Sequence, residues 1–359
     1  MTLYTPFMKL KKNEIQGMCA VGRGFVEWAT PLFDIPRSSK LMTEADIDKR
    51  LRLGLTDLEK AAERHEGLSF FLDNYDLDDT ILIGGQPQYA AILDHFSHLR
   101  AIAVVALDRI VDHNNAALAF ARRTTAEVAL RLTPANIESF AYTEDELASL
   151  VNRATKADVA IHLMLDMRHM ASGGSIPAAV QFLSKALSRY AFSSVRCTGS
   201  SIPANISDLL KTNSKIEVDR VELQLWLALK NAGHTQVTFG DYGIVSPDYS
   251  DAELQPWLLR QVSTPKAFYC FDDRLYATRG SSLETHPLGN GQFFGLADDI
   301  VAHRGFRGRP YSDGDKYIFD RSLASNNKPL KAGSQGSWTK AMTTAHLTFM
   351  INRLGGPPL

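Results

Sequence analysis

A closed (β/α)8 barrel of the TIM type, followed by an α+β extension, is the fold that this sequence predicts. Three observations lead there. Short β-type runs alternate with helix-like stretches, eight times by residue 245. Several runs, above all Ala101–Leu107 (AIAVVAL) and Val159–Leu165 (VAIHLML), are apolar on both faces. A parallel strand covered on each side reads that way, whereas a half-exposed antiparallel strand would alternate. The spacing is ~30 residues per unit, which suits a barrel of about 250 residues. An open doubly wound sheet is the alternative, because strand order is not written in one sequence. The count of eight favours the barrel.

The eight runs are Tyr4–Leu10, Ala29–Ile35, Leu68–Asp73, Ala101–Leu107, Glu127–Leu132, Val159–Leu165, Ser194–Thr198 and Val237–Asp241. A helix follows the second run, with Thr43 as its cap and Asp46 three residues on, an approximate capping box. Further helical patterns cover Tyr89–Leu99, Asn136–Ala154, Ala178–Tyr190 and Val218–Ala232. Residues 246–359 read differently. Phe268–Cys270 and Leu275–Arg279 flank a turn at Phe271–Arg274, so a hairpin is expected. Trp338–Leu354 reads as a closing helix, stopped by Gly355, Gly356 and Pro357. The expected division is therefore a barrel over 1–245 and an extension over 246–359.

Composition narrows the function. Apolar residues make up 45% and charged residues 22% of the 359, which excludes a disordered or fibrous chain. Mean hydropathy is −0.15 and no apolar run approaches the ~18 residues of a membrane span. The net charge of −1 excludes a surface that is basic throughout. Lys9, Lys11 and Lys12 near the start are not followed by an apolar segment, so no signal peptide is expected. Cys19, Cys197 and Cys270 form no CxxC pair, and their number is odd. A disulfide framework or zinc site is not expected, and a cytoplasmic location is.

Barrel active sites lie at the C-terminal ends of the strands. Polar residues there are Lys9 or Lys11, Asp34, Asp73, Asp108 with Arg109, Arg131, Asp166 with Arg168, then Thr198, Ser200 and Ser201, and finally Asp241 with Tyr242. Five aspartates with interleaved arginines could hold Mg²⁺ or Mn²⁺, or act as general acid and base. Asp34, Asp73, Asp166 and Asp241 are the catalytic candidates. Arginines clamp phosphate or carboxylate in bidentate fashion. Lys9, Arg131, Arg168, Ser200, Ser201, Tyr242 and Arg279 are therefore the ligand-binding candidates. The bland alternative is that each aspartate merely starts a turn or caps a helix. Thr198–Pro203 is a small, hydroxyl-rich turn where barrels often receive phosphate. His162, inside a strand, and His346, beside an apolar stripe, are expected to be packing residues. HExxH, GxSxG, Walker and GxGxxG patterns are lacking.

Residues 303–340 hold eight Lys/Arg against three Asp, with Phe306, Tyr311, Tyr317, Phe319 and Trp338 among them. Those are the ingredients of single-strand recognition, or of a solvated loop packed on the barrel.

Several short segments, in this order, are similar to the phage-type beta protein family. They are Tyr4–Lys11 with Glu14, Thr30–Ile35, Phe239–Gly243, Ala267–Tyr269 with Arg279-Gly280, and Gly314–Ile318 with Trp338 and His346. Two positions depart from the family's pattern: Ala345 precedes His346 where a second histidine is frequent, and Cys270 follows Tyr269 where Thr is the norm. The resemblance implies a setting in phage, prophage and bacterial genomes, with a role in phage–host conflict, and names no reaction. Together with the strand-end residues it frames two functions. One is a barrel whose mouth binds or hydrolyses a phosphate-bearing ligand, such as a nucleotide or nucleic-acid end. The other is a non-catalytic recognition subunit that binds a phage protein or a neighbouring partner.

Overall fold

The fold was described from a computed structural model, over residues 2–22, 24–37, 42–249, 263–325 and 331–356. Eight parallel strands close into a barrel. They are β1 (Tyr4–Lys9), β2 (Leu32–Asp34), β3 (Ser69–Asp73), β6 (Arg100–Val105), β7 (Glu127–Leu132), β8 (Ala160–His169), β9 (Ser194–Ser200) and β11 (Val237–Asp241). They follow one another around the barrel in chain order, and β11 closes on β1. Between β3 and β6 a two-residue hairpin intervenes, β4 (Leu82–Ile83) with β5 (Gln86–Pro87), turned by Gly84 and Gly85 at positive φ. The expected eight-stranded barrel is thus the observed one. The helix after β2 runs Glu44–Arg64, and Thr43 and Asp46 exchange the two bonds of a capping box.

The barrel interior is layered. Its middle is apolar: Phe7, Leu32, Phe71, Ile102, Val104, Ala129 and Met164. Side chains alternate along a strand, so the next inward positions toward the C-terminal mouth are Lys9, Asp34, Asp73, Arg131 and Asp166. Toward the opposite end they are Thr5, His162, Ser194 and Arg196. Register sharpens the mouth, because Lys9 pairs with Asp34 and Asp34 with Asp73 across β1, β2 and β3.

The extension forms a second core around a three-stranded antiparallel sheet. Strands β12 (Lys266–Phe271) and β13 (Arg274–Arg279) make the expected hairpin. The third strand, β10 (Ser214–Asp219), comes from between β9 and the following helix and pairs with β13. This corrects the expected helix start at Val218: the helix begins at Val221, because S-K-I-E-V-D alternates with period two and is drawn into the sheet. The closing helix Gln335–Arg353 serves both cores. Leu347, Met350 and Ile351 face the barrel, while Trp338, Met342 and Ala345 face the extension sheet. The sheet thus takes strands from both sides of 245/246, while the closing helix lies wholly within 246–359 and packs on the barrel. Pro357 and Lys328 lie outside the described residues.

A close approach holds the closing helix to the helix Asp313–Phe319. A Cβ on Gly314 would lie 2.2 Å from the Ala341 carbonyl oxygen and 2.6 Å from the Ala345 nitrogen. Both are backbone atoms and cannot step aside. Gly314→Ala is expected to cost about 1–3 kcal/mol through overpacking, read as a lower urea midpoint at unchanged slope.

Candidate functional site

At the C-terminal mouth, Arg131 is fully buried and every one of its nitrogens is occupied. Nε and Nη2 donate to Asp166 Oδ2 (2.9 and 2.8 Å), and Nη1 donates to Asp34 Oδ1 (2.7 Å) and Asp73 Oδ2 (2.6 Å). Nη2 also donates to the Tyr242 hydroxyl (2.9 Å), which itself donates to Asp166 (2.6 Å). Three of the aspartates read from the sequence therefore do converge, and they converge on a guanidinium. Burial opposes ionisation of Asp34, but Arg131 and Lys9 outweigh it and hold its carboxyl well below the usual range. Burial likewise disfavours the charge on Arg131, and Asp34, Tyr242 and Asp166 outweigh that.

A second arginine extends the network. Arg168 sits at φ +52°, beyond an irregularity in the β8–β9 pairing between Asp166 and His169. Its backbone N–H donates to Asp166 Oδ1 (2.9 Å). A left-handed residue at a bulge re-aims its side chain. Here the guanidinium reaches Tyr242 (3.1 Å), the Pro247 carbonyl (2.7 Å) and Asp248 (2.8 Å). Tyr75 lies across both arginines, its ring centre 4.4 Å from Arg131 and 4.2 Å from Arg168.

The loop after β3 supplies residues that the sequence reading passed over. Lys9 bonds Asp76 (2.5 Å) as well as Asp34 (3.4 Å). Arg109 joins Asp73 (3.1 Å) to Asp79 (3.2 Å). The signal was present as the acid-rich run D-N-Y-D-L-D-D from Asp73 to Asp79. Asp108 is exposed in the turn beside Arg109.

Beside this network a cleft of about 340 Å³ opens between the mouth and the extension. Lys9, Lys11, Glu14, Tyr249, Lys266 and Phe268 are among its lining residues. Lys9 Nζ lies 5.1 Å, Lys11 Nζ 5.6 Å and the Arg37 guanidinium 4.8 Å from the centre of the Tyr249 ring. The buried Tyr249 hydroxyl has no hydrogen-bond partner. Lys11 and Lys266 form no ion pair among the described residues. Burial, and then Arg279, make the charge on Lys266 harder to hold. Glu14 is buried and accepts the Lys9 backbone N–H (2.9 Å). Burial raises its carboxyl above the ordinary value against the pull of Lys11 and Lys9. Among the described residues, Glu14 and Asp248 are the two carboxyls lining the cleft.

Four expected residues lie elsewhere. Asp241 faces out of the barrel, because Tyr242 takes the inward position that closes the mouth. Its partners are Arg220 (2.5 Å), Tyr4 (2.6 Å) and His346 (3.0 Å). His346 in turn meets Cys270 Sγ at 3.2 Å. It is therefore an ion-paired residue rather than simple packing. Ser201 accepts the Val221 N–H (2.8 Å) and donates to Glu222 (2.7 Å), capping a helix outside the mouth. Ser200 points to the mouth side but is spent on Val245 (3.3 Å) and Ile202 (3.1 Å). Arg279 ends the hairpin, bound to Thr264, Ser207 and the Leu210 carbonyl.

In the basic aromatic stretch the aromatics pack inward, while Arg304 and Arg309 stay at the surface. Arg307 bonds the Cys270 carbonyl (2.6 Å) and stacks on Tyr269 and Tyr311, Arg309 pairs with Asp320, and Arg304 with Glu217. Phe306 and Tyr317 pack against the extension core, which holds Trp338. Its aromatics are engaged in packing and do not form an open stacking platform.

Among the described residues, no three His, Cys, Asp or Glu side chains are grouped to hold a metal ion, and no helix is long and apolar enough to cross a membrane. Fold and mouth together define a (β/α)8 barrel protein with an arginine-centred carboxylate network. The chain belongs to the Beta protein family, whose sequence model matches residues 4–352. Among solved structures it is similar to the spore cortex-lytic enzyme SleL of Bacillus megaterium QM B1551, with 9% identity and a TM-score of 0.31 over 96% of this chain and 74% of that one. No curated protein matches it.

Proposed function

We propose that this protein binds a phosphate-bearing ligand, such as a nucleotide or a nucleic-acid end, in the cleft between barrel mouth and extension. The observation that carries the reading is the pair Lys11 and Lys266, cations without carboxylate partners on one cleft. Lys9 and Arg37 add positive charge around Tyr249, whose ring offers a flat face and whose hydroxyl is unpartnered. A phosphate would meet the lysines, and a base or other flat group the tyrosine. Arg131 is not a ligand clamp in this reading, since its donors are already used; it sets the rigid floor. Asp34, Asp73 and Asp166 are accordingly positioning residues, and Glu14 is the proton donor or acceptor that faces the ligand. The setting we assign is phage–host conflict, as the family resemblance implies.

Isothermal titration with pyrophosphate, ATP and a 5′-phosphorylated dinucleotide tests this. At least one is expected to bind, and Lys11→Ala/Lys266→Ala to weaken it by about tenfold or more, since hydrogen bonds to charged groups contribute about 1.5–3 kcal/mol each. Unchanged affinity in that variant, or no binding by any of the three, would overturn the reading.

A further inference from the structure

The two ends of the barrel interior hold buried arginines in opposite circumstances. Arg131 at the mouth has three carboxylates. Arg196, on β9 at the other end, is 5% exposed and forms no ion pair among the described residues. Its Nε donates to Thr5 Oγ1 (3.0 Å), its Nη1 donates to Ser194 Oγ, and its guanidinium lies 4.8 Å from the Phe71 ring. Among the described residues Nη2 makes no hydrogen bond. A buried charge without a counter-charge is costly, and burial pulls the arginine down to about 10, with Glu127 acting against that.

The neighbouring imidazole adds a second donor. Ser194 Oγ lies 2.7 Å from His162 Nδ1. Burial and Arg196 hold the imidazole down at about 4, so it is neutral at pH 7. The serine hydroxyl, receiving the Arg196 N–H, donates to Nδ1, and the ring proton then sits on Nε2. That Nε2 is buried without a hydrogen-bond partner. Glu127 Oε1 stands 3.6 Å from Nε2, at the rim and partly exposed. One guanidinium nitrogen and one imidazole N–H are thus without hydrogen-bond partners among the described residues, beside a buried positive charge that has no ion pair there.

We propose that the N-terminal end of the barrel interior is a binding site for a small monovalent anion, held by Arg196 with His162. A single guanidinium beside a neutral imidazole balances one negative charge. A dianion would leave a charge uncompensated there. The site is separate from the cleft: Phe7, Leu32, Phe71 and Met164 form an apolar layer between the two ends. It does not depend on the phosphate-ligand reading.

The test uses the full chain with ¹⁵N-labelled histidine, the His162 resonance being assigned by its loss in His162→Asn. Bromide is titrated in at pH 7 and constant ionic strength, balanced with gluconate, a bulky organic anion. The expected result is a saturable shift of the His162 resonance, absent in Arg196→Met and retained in Arg196→Lys. Formate in place of bromide separates a halide site from one that also accepts a small oxyanion; saturation by either supports the proposal. No saturable shift with either anion, or the same shift in Arg196→Met, overturns it. Should Arg196→Met not fold, the wild-type titrations decide alone by the same criterion.

Discussion

Replacing Arg131 with methionine is expected to lower the unfolding free energy by about 3–5 kcal/mol, the cost of leaving buried charges without their partner. The substitution keeps much of the side chain's length and strands three carboxylates together. Asp34 and Asp73 share one nitrogen of the guanidinium at 2.7 and 2.6 Å, so both lose that partner at once and keep only Lys9 at 3.4 Å and Arg109 at 3.1 Å. The loss should depend on pH in a defined direction. In the native protein the Asp34 carboxyl is held below its ordinary value, so it adds stability above the unfolded value of about 3.8, and that stability is lost as pH falls through the folded value. In the variant the aspartates gain by taking up protons. The gap between the two proteins should be widest at pH 7 and narrow toward pH 4. Urea unfolding at both pH values measures it. Equal midpoints at pH 7 would show that the network adds nothing to stability.

The second large effect concerns the joint between barrel and extension. His346, on the closing helix, lies between Asp241 at the end of β11 and Cys270 on β12, with Tyr4 of β1 also in reach. Arg220 faces both Asp241 and Glu222. Two carboxylates and one guanidinium leave a single negative charge, and protonated His346 closes the cluster to neutrality. Burial alone would lower its pKa, but Asp241 outweighs burial and lifts it to about 9, from 6.5. A raised folded value means stability that is full below pH 6.5 and lost as pH rises through about 9. By that linkage its size is on the order of 3 kcal/mol. His346→Gln should therefore differ most from the native protein near pH 6, and the difference should shrink by pH 9.5. Thermal unfolding of both proteins across that range is the check. A gap independent of pH would mean that His346 acts by shape alone.

The strands were legible because a barrel strand is covered on both faces, and AIAVVAL and VAIHLML carry that in their composition. The convergence of Asp34, Asp73 and Asp166 was legible too, since strand ends of a barrel meet at one mouth. What they meet was not. Arg131 reads from sequence as a ligand clamp, and only the geometry shows its nitrogens already in use. Asp241 and Tyr242 illustrate a finer limit. Inward and outward positions alternate with period two, so a one-residue difference in phase sends the tyrosine to the mouth and the aspartate to the joint. Strand β10 was hidden because its alternating residues ran directly into a helix-forming stretch. Glu14 was marked only by the family resemblance: its environment is made by Lys9, the extension and the cleft, which come together only in three dimensions.

Native mass spectrometry of the purified chain, beside Lys11→Ala/Lys266→Ala, is the most direct test of the cleft as a phosphate-ligand site. The account predicts that the native protein takes up one equivalent of an added phosphate-bearing compound or carries one through purification, while the variant, folded by circular dichroism, keeps the apo mass. Equal occupancy in both proteins, or an apo mass in the native protein at every ligand offered, would contradict it.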